Sequence, residues 1–180
     1  MDAGPDLPTR LALQARAGDR IALDGFVRAT QADVWRCCAH LVAMDAADDL
    51  TQETYLRLVR ALPGFRGESS GRTFVLSIAR RVCADEIRHR TRRRGLSDRL
   101  QRRRVPLAVG DRADATALEQ LVKALDDERR AAFVLTQLLG LSYEDAAEVC
   151  GCAVGTIRSR VSRARQVLID ALDDTAERAN

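Results

Sequence analysis

Thr156, Arg158, Ser159, Ser162, Arg163 and Arg165 crowd into ten residues near the end of the chain, and together they could grip nucleic acid. Arginine presents a planar fork that matches guanine O6 and N7 or a pair of phosphate oxygens. Hydroxyls add short hydrogen-bonding groups for the backbone. Spacing decides whether these groups act together. Val154, Ile157, Val161, Ala164 and Leu168 recur at intervals of 3, 4, 3 and 4, which is one apolar face of a helix. Arg158, Ser159, Ser162 and Arg163 then project from neighbouring outer faces and could enter a major groove together. An amphipathic helix with an ordinary solvated face carries the same pattern, so the preceding element matters.

That element is short. Gly140 can end one helix, Ser142 can cap the next, and Asp145 stands three residues on as an acidic first-turn partner. Gly151 suits a tight turn with positive φ, and Ala147, four residues earlier, lets a second helix cross closely. Helix, glycine turn and helix with a small residue at the crossing form a helix-turn-helix.

The first half carries two further groups. On a helix beginning near Asp48, the residues Asp49, Gln52, Glu53 and Leu56 fall at spacings of 3, 1 and 3, a mixed acidic and apolar face suited to a partner protein. A plain capped surface helix would look the same. Further on, Val75, Ile78, Val82 and Ile87 form a buried stripe, while Thr73, Ser77, Arg80, Ala84 and Arg88 line an outer face that could follow a phosphate backbone. Trp35, Tyr55 and Phe74 sit inside apolar patterns and read as packing residues.

The elements around these groups are helical. Ala, Leu, Arg and Glu dominate, and no strand-length window alternates apolar with polar residues. Helices are predicted over residues 7–17, 20–43, 46–61, 70–92, 115–126, 127–139, 142–150 and 154–171. Between residues 92 and 114, Gly95, Pro106 and Gly110 dissolve the helical period. The expected fold is all-α: two small helical domains, 1–92 and 115–180, joined by a flexible linker over 93–114. Each is long enough for a modest core.

Charge follows the same division. The net charge is +3, but residues 80–104 alone carry +8, against −1 for residues 1–79, −5 for 105–153 and +1 for 154–180. A basic stripe of that density points to a local polyanion contact. Its Arg92–Arg94 and Arg102–Arg104 clusters read equally well as DNA or polymerase contacts and as solvated linker. Lys123 is the single lysine, a bias that GC-rich codon usage explains without any function.

Other chemistry is poorly supplied. Cys37, Cys38, Cys83, Cys150 and Cys152 are odd in number and lack zinc or redox spacing, so they read as small buried apolar groups. His40 and His89 are the only histidines, no glycine-rich phosphate loop is present, and no nucleophile, base and orienter can be assembled. The expectation is a protein with no catalytic residues, metal or cofactor. No apolar run approaches the ~18 residues of a membrane span, and the N-terminus lacks a secretory layout, so a cytoplasmic protein without membrane insertion is expected.

LSYEDAAEVCGCAVGTIRSRVSRAR, at residues 141–165, resembles region 4 of the extracytoplasmic-function (ECF) sigma factors, a branch of the sigma-70 family. ADDLTQETYLRL, at 47–58, resembles their polymerase-gripping segment, and FRGESSGRTFVLSIARRVCADEIR, at 65–88, the segment that melts and reads the −10 element. The resemblance covers most of the chain, in the expected order. It implies a promoter-recognition factor partnered by core RNA polymerase, through its β′ and β subunits, and by promoter DNA. An anti-sigma protein clamping both domains is a candidate partner. It implies polymerase contacts at Asp48, Asp49, Leu50, Gln52, Glu53 and Leu56. It places −10 contacts at Arg66, Glu68, Ser69, Ser70, Phe74, Ser77, Arg80, Arg81 and Arg88, with flipped bases entering the 65–71 loop. The −35 contacts fall on Thr156, Arg158, Ser159, Ser162, Arg163 and Arg165. Phe74 stands where the family usually has tryptophan, a departure that weakens the expectation of strong autonomous melting. A stand-alone helix-turn-helix repressor is the competing reading, although no long dimer seam is available for one.

Overall fold

A computed structural model describes residues 5–101 and 117–178, and every regular element among them is helical. In chain order these are α1 (Leu7–Arg16), α2 (Arg20–Leu41), α3 (Ala47–Ala61), α4 (Gly71–Gln101), α5 (Ala117–Ala124), α6 (Asp127–Phe133), α7 (Tyr143–Cys150) and α8 (Val154–Arg178). Helix starts are set by side-chain caps. Asp6 accepts from the Thr9 amide at 3.0 Å, Asp19 from Ile21 and Ala22 at 2.8 and 3.0 Å, and Asp126 from Arg129 at 3.0 Å. Each cap satisfies an orphan amide and contributes about 1 kcal/mol.

The first four helices enclose Ala12, Phe26, Val34, Leu58, Val75 and Leu76, all fully buried. The helix-turn-helix half is built on Leu135, Ile157, Val161 and Ala164. Cys37, Cys38, Cys83 and Cys150 are buried free thiols, and burial pushes the Cys37 and Cys150 thiols above their ordinary range. These thiols pack as apolar groups.

Three helices differ by several residues from the sequence expectation. α4 does not stop at residue 92 but runs through Gly95 to Gln101. One helical glycine costs about 1 kcal/mol relative to alanine, and the arginines, leucines and glutamine around it are strong helix formers. Arg90 also reaches back one turn to Glu86 at 2.6 Å. The remainder of the expected linker, including Arg102–Arg104, Pro106 and Gly110, lies outside the described residues. The helix expected over 127–139 divides at Phe133, where a π-helical turn, Val134–Leu138, follows. There the Leu139 amide donates to the Val134 carbonyl at 2.9 Å and Leu141 to Leu135 at 3.0 Å. These wider local closures, five and six residues back, flank Gly140 at φ 69°. α8 in turn outlasts its expected end by seven residues.

The two halves pack on each other. Arg130 donates to the carbonyls of Leu41 (3.1 Å), Lys123 (2.9 Å) and Leu125 (2.7 Å), placing one cation over the C-terminal ends of α2 and α5. Arg72 bridges Asp33 on α2, at 2.6 Å, and the Leu139 carbonyl, also at 2.6 Å. Burial opposes charge on Asp33, but the Arg72 and Arg36 guanidiniums outweigh it and hold its carboxyl below the ordinary range. α4 therefore lies between α2 and α3 on one side and α7 on the other.

Candidate nucleic-acid interface

The helix-turn-helix has the local chemistry its sequence implies. The Ser142 hydroxyl accepts from the Asp145 amide at 3.0 Å and donates to the Asp145 carboxylate at 2.7 Å. Gly151 sits at φ 64° and ψ 40°, left-handed backbone that glycine adopts freely. Past it, the Cys152 amide bonds back to the Ala147 carbonyl at 3.0 Å, closing the turn. On α8, Ile157, Val161, Ala164 and Leu168 are buried and Val154 half-buried, so the apolar stripe faces the core as spaced.

The opposite side of α8 is open. Arg158, Ser159, Ser162 and Arg163 are exposed, and Arg158 and Arg163 make no hydrogen bond or ion pair among the described residues. Arg165 is exposed but donates to Gln137 at 2.6 Å, while half-buried Thr156 accepts the Ser159 hydroxyl on its carbonyl at 2.9 Å. Arg160, half-buried, pairs with Glu128 across to α6 and is a packing residue.

On α3, Asp48, Asp49, Gln52 and Leu56 are exposed and Glu53 is half-exposed, so these five share an accessible surface. Leu50 does not: it is 8% exposed and belongs to the core, because it faces inward with Thr51, Thr54 and Leu58. Asp48 accepts from the Trp35 indole at 2.7 Å, and the Tyr55 and Thr30 hydroxyls bond at 2.9 Å, so both aromatics pack as expected. Glu53 pairs with Arg57 at 2.7 Å, and Arg57 reaches Asp85 on α4 at 2.7 Å. Arg57 and Arg88 hold the Asp85 carboxyl below its ordinary value.

The 65–70 loop is pinned at both ends and open between them. Phe65 is buried, stacks at 4.7 Å on Phe74, and takes a 2.8 Å bond from Arg16 on its carbonyl. Ser70 caps α4 by accepting the Thr73 amide at 3.0 Å. Arg66 and Glu68 stand in solvent, 3.8 Å apart, with Ser69 half-buried beside them. Phe74 is half-buried against Phe65, a packing role in keeping with its place in the apolar pattern.

The outer face expected on α4 is not wholly outer. Thr73 is 2% exposed and hydrogen-bonded to Asp145 at 3.1 Å. Ser77 is half-buried and donates to the Phe74 carbonyl at 2.7 Å. Arg80, Ala84 and Arg88 line a cavity of about 250 Å³ whose far wall is Asp127, Glu128 and Ala131 of α6. Arg81 remains exposed. Sequence periodicity missed this because α4 is buried on two adjacent stripes, Val75–Ile78–Val82 and Leu76–Ala79–Cys83. The C-terminal half meets α4 beside these stripes, through Arg72 and Thr73 and across the cavity from Arg80 and Ala84.

Comparison with known proteins agrees in the same two places. Residues 26–93 match the family Sigma-70 region 2, and residues 115–168 match Sigma-70, region 4. Over 166 residues the chain is 51% identical to the ECF RNA polymerase sigma factor SigC of Mycobacterium tuberculosis, covering 89% of each chain. It is 32% identical over 180 residues to the RNA polymerase sigma-H factor of Pseudomonas aeruginosa, covering 91% of this chain and 92% of that one. Among solved structures, CnrH in complex with the cytosolic domain of CnrY superposes with a TM-score of 0.73 at 25% identity, over 94% of this chain and 99% of that one. The sigma factor RpoE of Bartonella quintana, in complex with the anti-sigma factor NepR, gives 0.70 at 29% identity, over 83% and 96%. The chain belongs to the sigma-70 family of RNA polymerase sigma factors, in its extracytoplasmic-function branch.

Proposed function

We propose that this sigma factor docks on core RNA polymerase through the outer face of α3, reads the −10 element with the 65–70 loop and α4, and reads the −35 element with α8. The observation that carries the reading is the pair Arg158 and Arg163, both exposed and without a side-chain partner among the described residues, on the helix that follows a capped glycine turn. Arginines left without an intramolecular partner on such a helix are available to base edges and phosphates. Polymerase contact is assigned to Asp48, Asp49, Gln52, Glu53 and Leu56, with the β′ and β subunits as partners. The protein contributes binding and placement and no bond-making step, and it works in the cytoplasm where polymerase and promoter meet. An anti-sigma protein is a proposed partner, supported by the Bartonella neighbour.

Geometry sets a demand on the linker. Elements at −10 and −35 lie about 85 Å apart along B-form DNA at 3.4 Å per base pair. Residues 93–101 continue α4 and supply about 14 Å at 1.5 Å per residue. The stretch 102–114 can span at most about 43–47 Å. The tether is therefore shorter than that separation, and the two halves can serve both elements only by lying apart.

Run-off transcription tests the reading. Core polymerase plus the chain should initiate at defined start sites, while the chain alone binds the same duplex weakly. Tight, specific binding by a dimer of the chain without polymerase would favour a repressor and refute the assignment. Within that assay, Arg158→Ala and Arg163→Ala should each lose about 1–3 kcal/mol at particular −35 base pairs if the residue reads a base. A uniform loss over all sequences would mark a phosphate contact instead.

A further inference from the structure

Arg81, Asp85, Arg88 and Arg92 fall at spacings of 4, 3 and 4 along α4, which puts them on one face of that helix, and the three arginines are exposed. An acid in the middle of such a row opposes phosphate binding, which asks only for positive charge. Its bonds show what it does there. Asp85 accepts from two arginines, one on each carboxylate oxygen: Arg57 of α3 donates from Nη1 to Oδ2 at 2.7 Å, and Arg88 donates from Nη2 to Oδ1. Arg57 is anchored in turn, its Nε donating to Glu53 at 2.7 Å. The two guanidiniums keep Asp85 ionised by drawing its carboxyl below the ordinary range, Arg57 more strongly than Arg88. Arg88 is 61% exposed, and its Nε and Nη1 have no partner among the described residues. Part of its planar fork is therefore tied to the protein and the rest is open.

We infer that Asp85 and Arg57 are positioning residues for promoter reading: Asp85 aims the Arg88 guanidinium at a base edge of the −10 element, and Arg57 fixes Asp85, without contacting DNA themselves. The inference rests on the −10 assignment made above and adds to it two residues that supply direction rather than contact. A phosphate contact tolerates many orientations of the charge, whereas a bidentate grip on guanine O6 and N7 needs the fork in one plane. A long exposed side chain loses rotamer freedom when it binds, and one already held on a carboxylate loses less. The second tie matters because the first is weak. An exposed pair three residues apart on one helix holds its members loosely. The bond from Arg57 comes from a different helix, so it fixes the carboxylate against the body of the protein rather than against its own turn.

The test uses core polymerase, the full chain and a promoter library in which every −10 base pair is varied, read as relative transcript yield for each base. Arg88→Ala should flatten the preference at one base pair about tenfold, the discrimination of a bidentate contact. Asp85→Asn and Arg57→Ala should each flatten the preference at that same base pair about threefold, the worth of one exposed ion pair, and leave the other positions unchanged. Ratios within the library separate this from lost stability and from a weakened polymerase contact through Glu53, since both lower every member alike. Asp85→Asn keeps the size of the side chain and carries the test alone should Arg57→Ala fail to fold. Unchanged preferences in Asp85→Asn and Arg57→Ala overturn the inference. So does an equal rise in yield across the library for Asp85→Asn, which marks simple relief of repulsion, and so does an Arg88→Ala variant with every base preference intact. In each of these cases the parent still initiates, and the functional reading stands. No initiation by the parent on any member sinks that reading and this inference together.

Discussion

Gly71→Ala should destabilise the protein by about 1–3 kcal/mol, the range for forcing extra volume into a packed site, and lower Tm by about 2–12 °C for a chain of this size. The direction is the informative part. Glycine to alanine inside a helix ordinarily stabilises by up to about 1 kcal/mol, so propensity alone predicts the opposite sign. Here a Cβ would stand 2.7 Å from the Pro8 carbonyl oxygen, 2.8 Å from its carbon and 3.0 Å from the Thr9 nitrogen. These are backbone atoms of the first turn of α1, and no rotamer change can move them. The contact is close for a reason: the Gly71 amide donates to the Thr9 hydroxyl at 2.8 Å. An added methyl must push α1 away from α4, and with it Ala12 and Ala15 from the core. Gly64→Ala makes the control, since nothing lies within 4 Å of its Cβ position. Its Tm should stay close to that of the parent. A raised Tm for Gly71→Ala would show that α1 does not bind α4 at this point.

The helices of this fold were legible because their stop and start signals are local. Ser142, Gly140 and Gly151 act within four residues of where they stand, and the structure finds a cap, a φ of 69° and a φ of 64° at those positions. The stripe from Ile157 to Leu168 is equally local, because one helical period defines it. What periodicity lacks is the identity of the neighbour. In α4 it distinguishes inward from outward only if one neighbour exists, and α4 packs on α1, α2, α3 and α7. The pairing of Thr73 with Asp145, of Arg72 with Leu139 and of Arg130 with Leu41 spans 72, 67 and 89 residues. Nothing in a window of eighteen residues carries such information.

The site divides along the same line. The exposed residues of α8 were readable because a surface arginine opposite a buried isoleucine follows from the helix alone. Leu50 was misassigned for the complementary reason: family resemblance marks the segment that holds a partner, while helix geometry turns each of its residues in or out. Gly71 shows the limit most sharply. Its sequence context, between serines and an arginine, reads as an ordinary loop end, and only the approach of α1 turns it into a constraint.

Glu53→Lys should weaken binding to core polymerase on the order of 100-fold, because a like charge set against an interface costs several kcal/mol, while leaving the fold intact. The second half of that expectation follows from the structure. Glu53 is half-exposed and, among the described residues, pairs only with Arg57, one turn away. Such exposed pairs contribute about 0–1 kcal/mol, and Arg57 keeps Asp85 as a partner when Glu53 is gone. The first half follows from position. Asp49, Gln52 and Leu56 surround Glu53, and Leu56 is 59% exposed, a large apolar side chain left in water beside acidic groups. That combination suits a basic partner surface with an apolar centre. Net charge could mimic the effect through long-range steering, so the same reversal belongs at a second exposed ion pair. Asp24→Lys, which breaks the solvent-exposed pair with Arg28 on α2, changes the net charge equally and should leave polymerase affinity within about twofold under physiological salt, where charges beyond about 8 Å are screened. If both variants lose affinity alike, the effect is one of total charge and α3 loses its claim. If neither does, polymerase binds elsewhere.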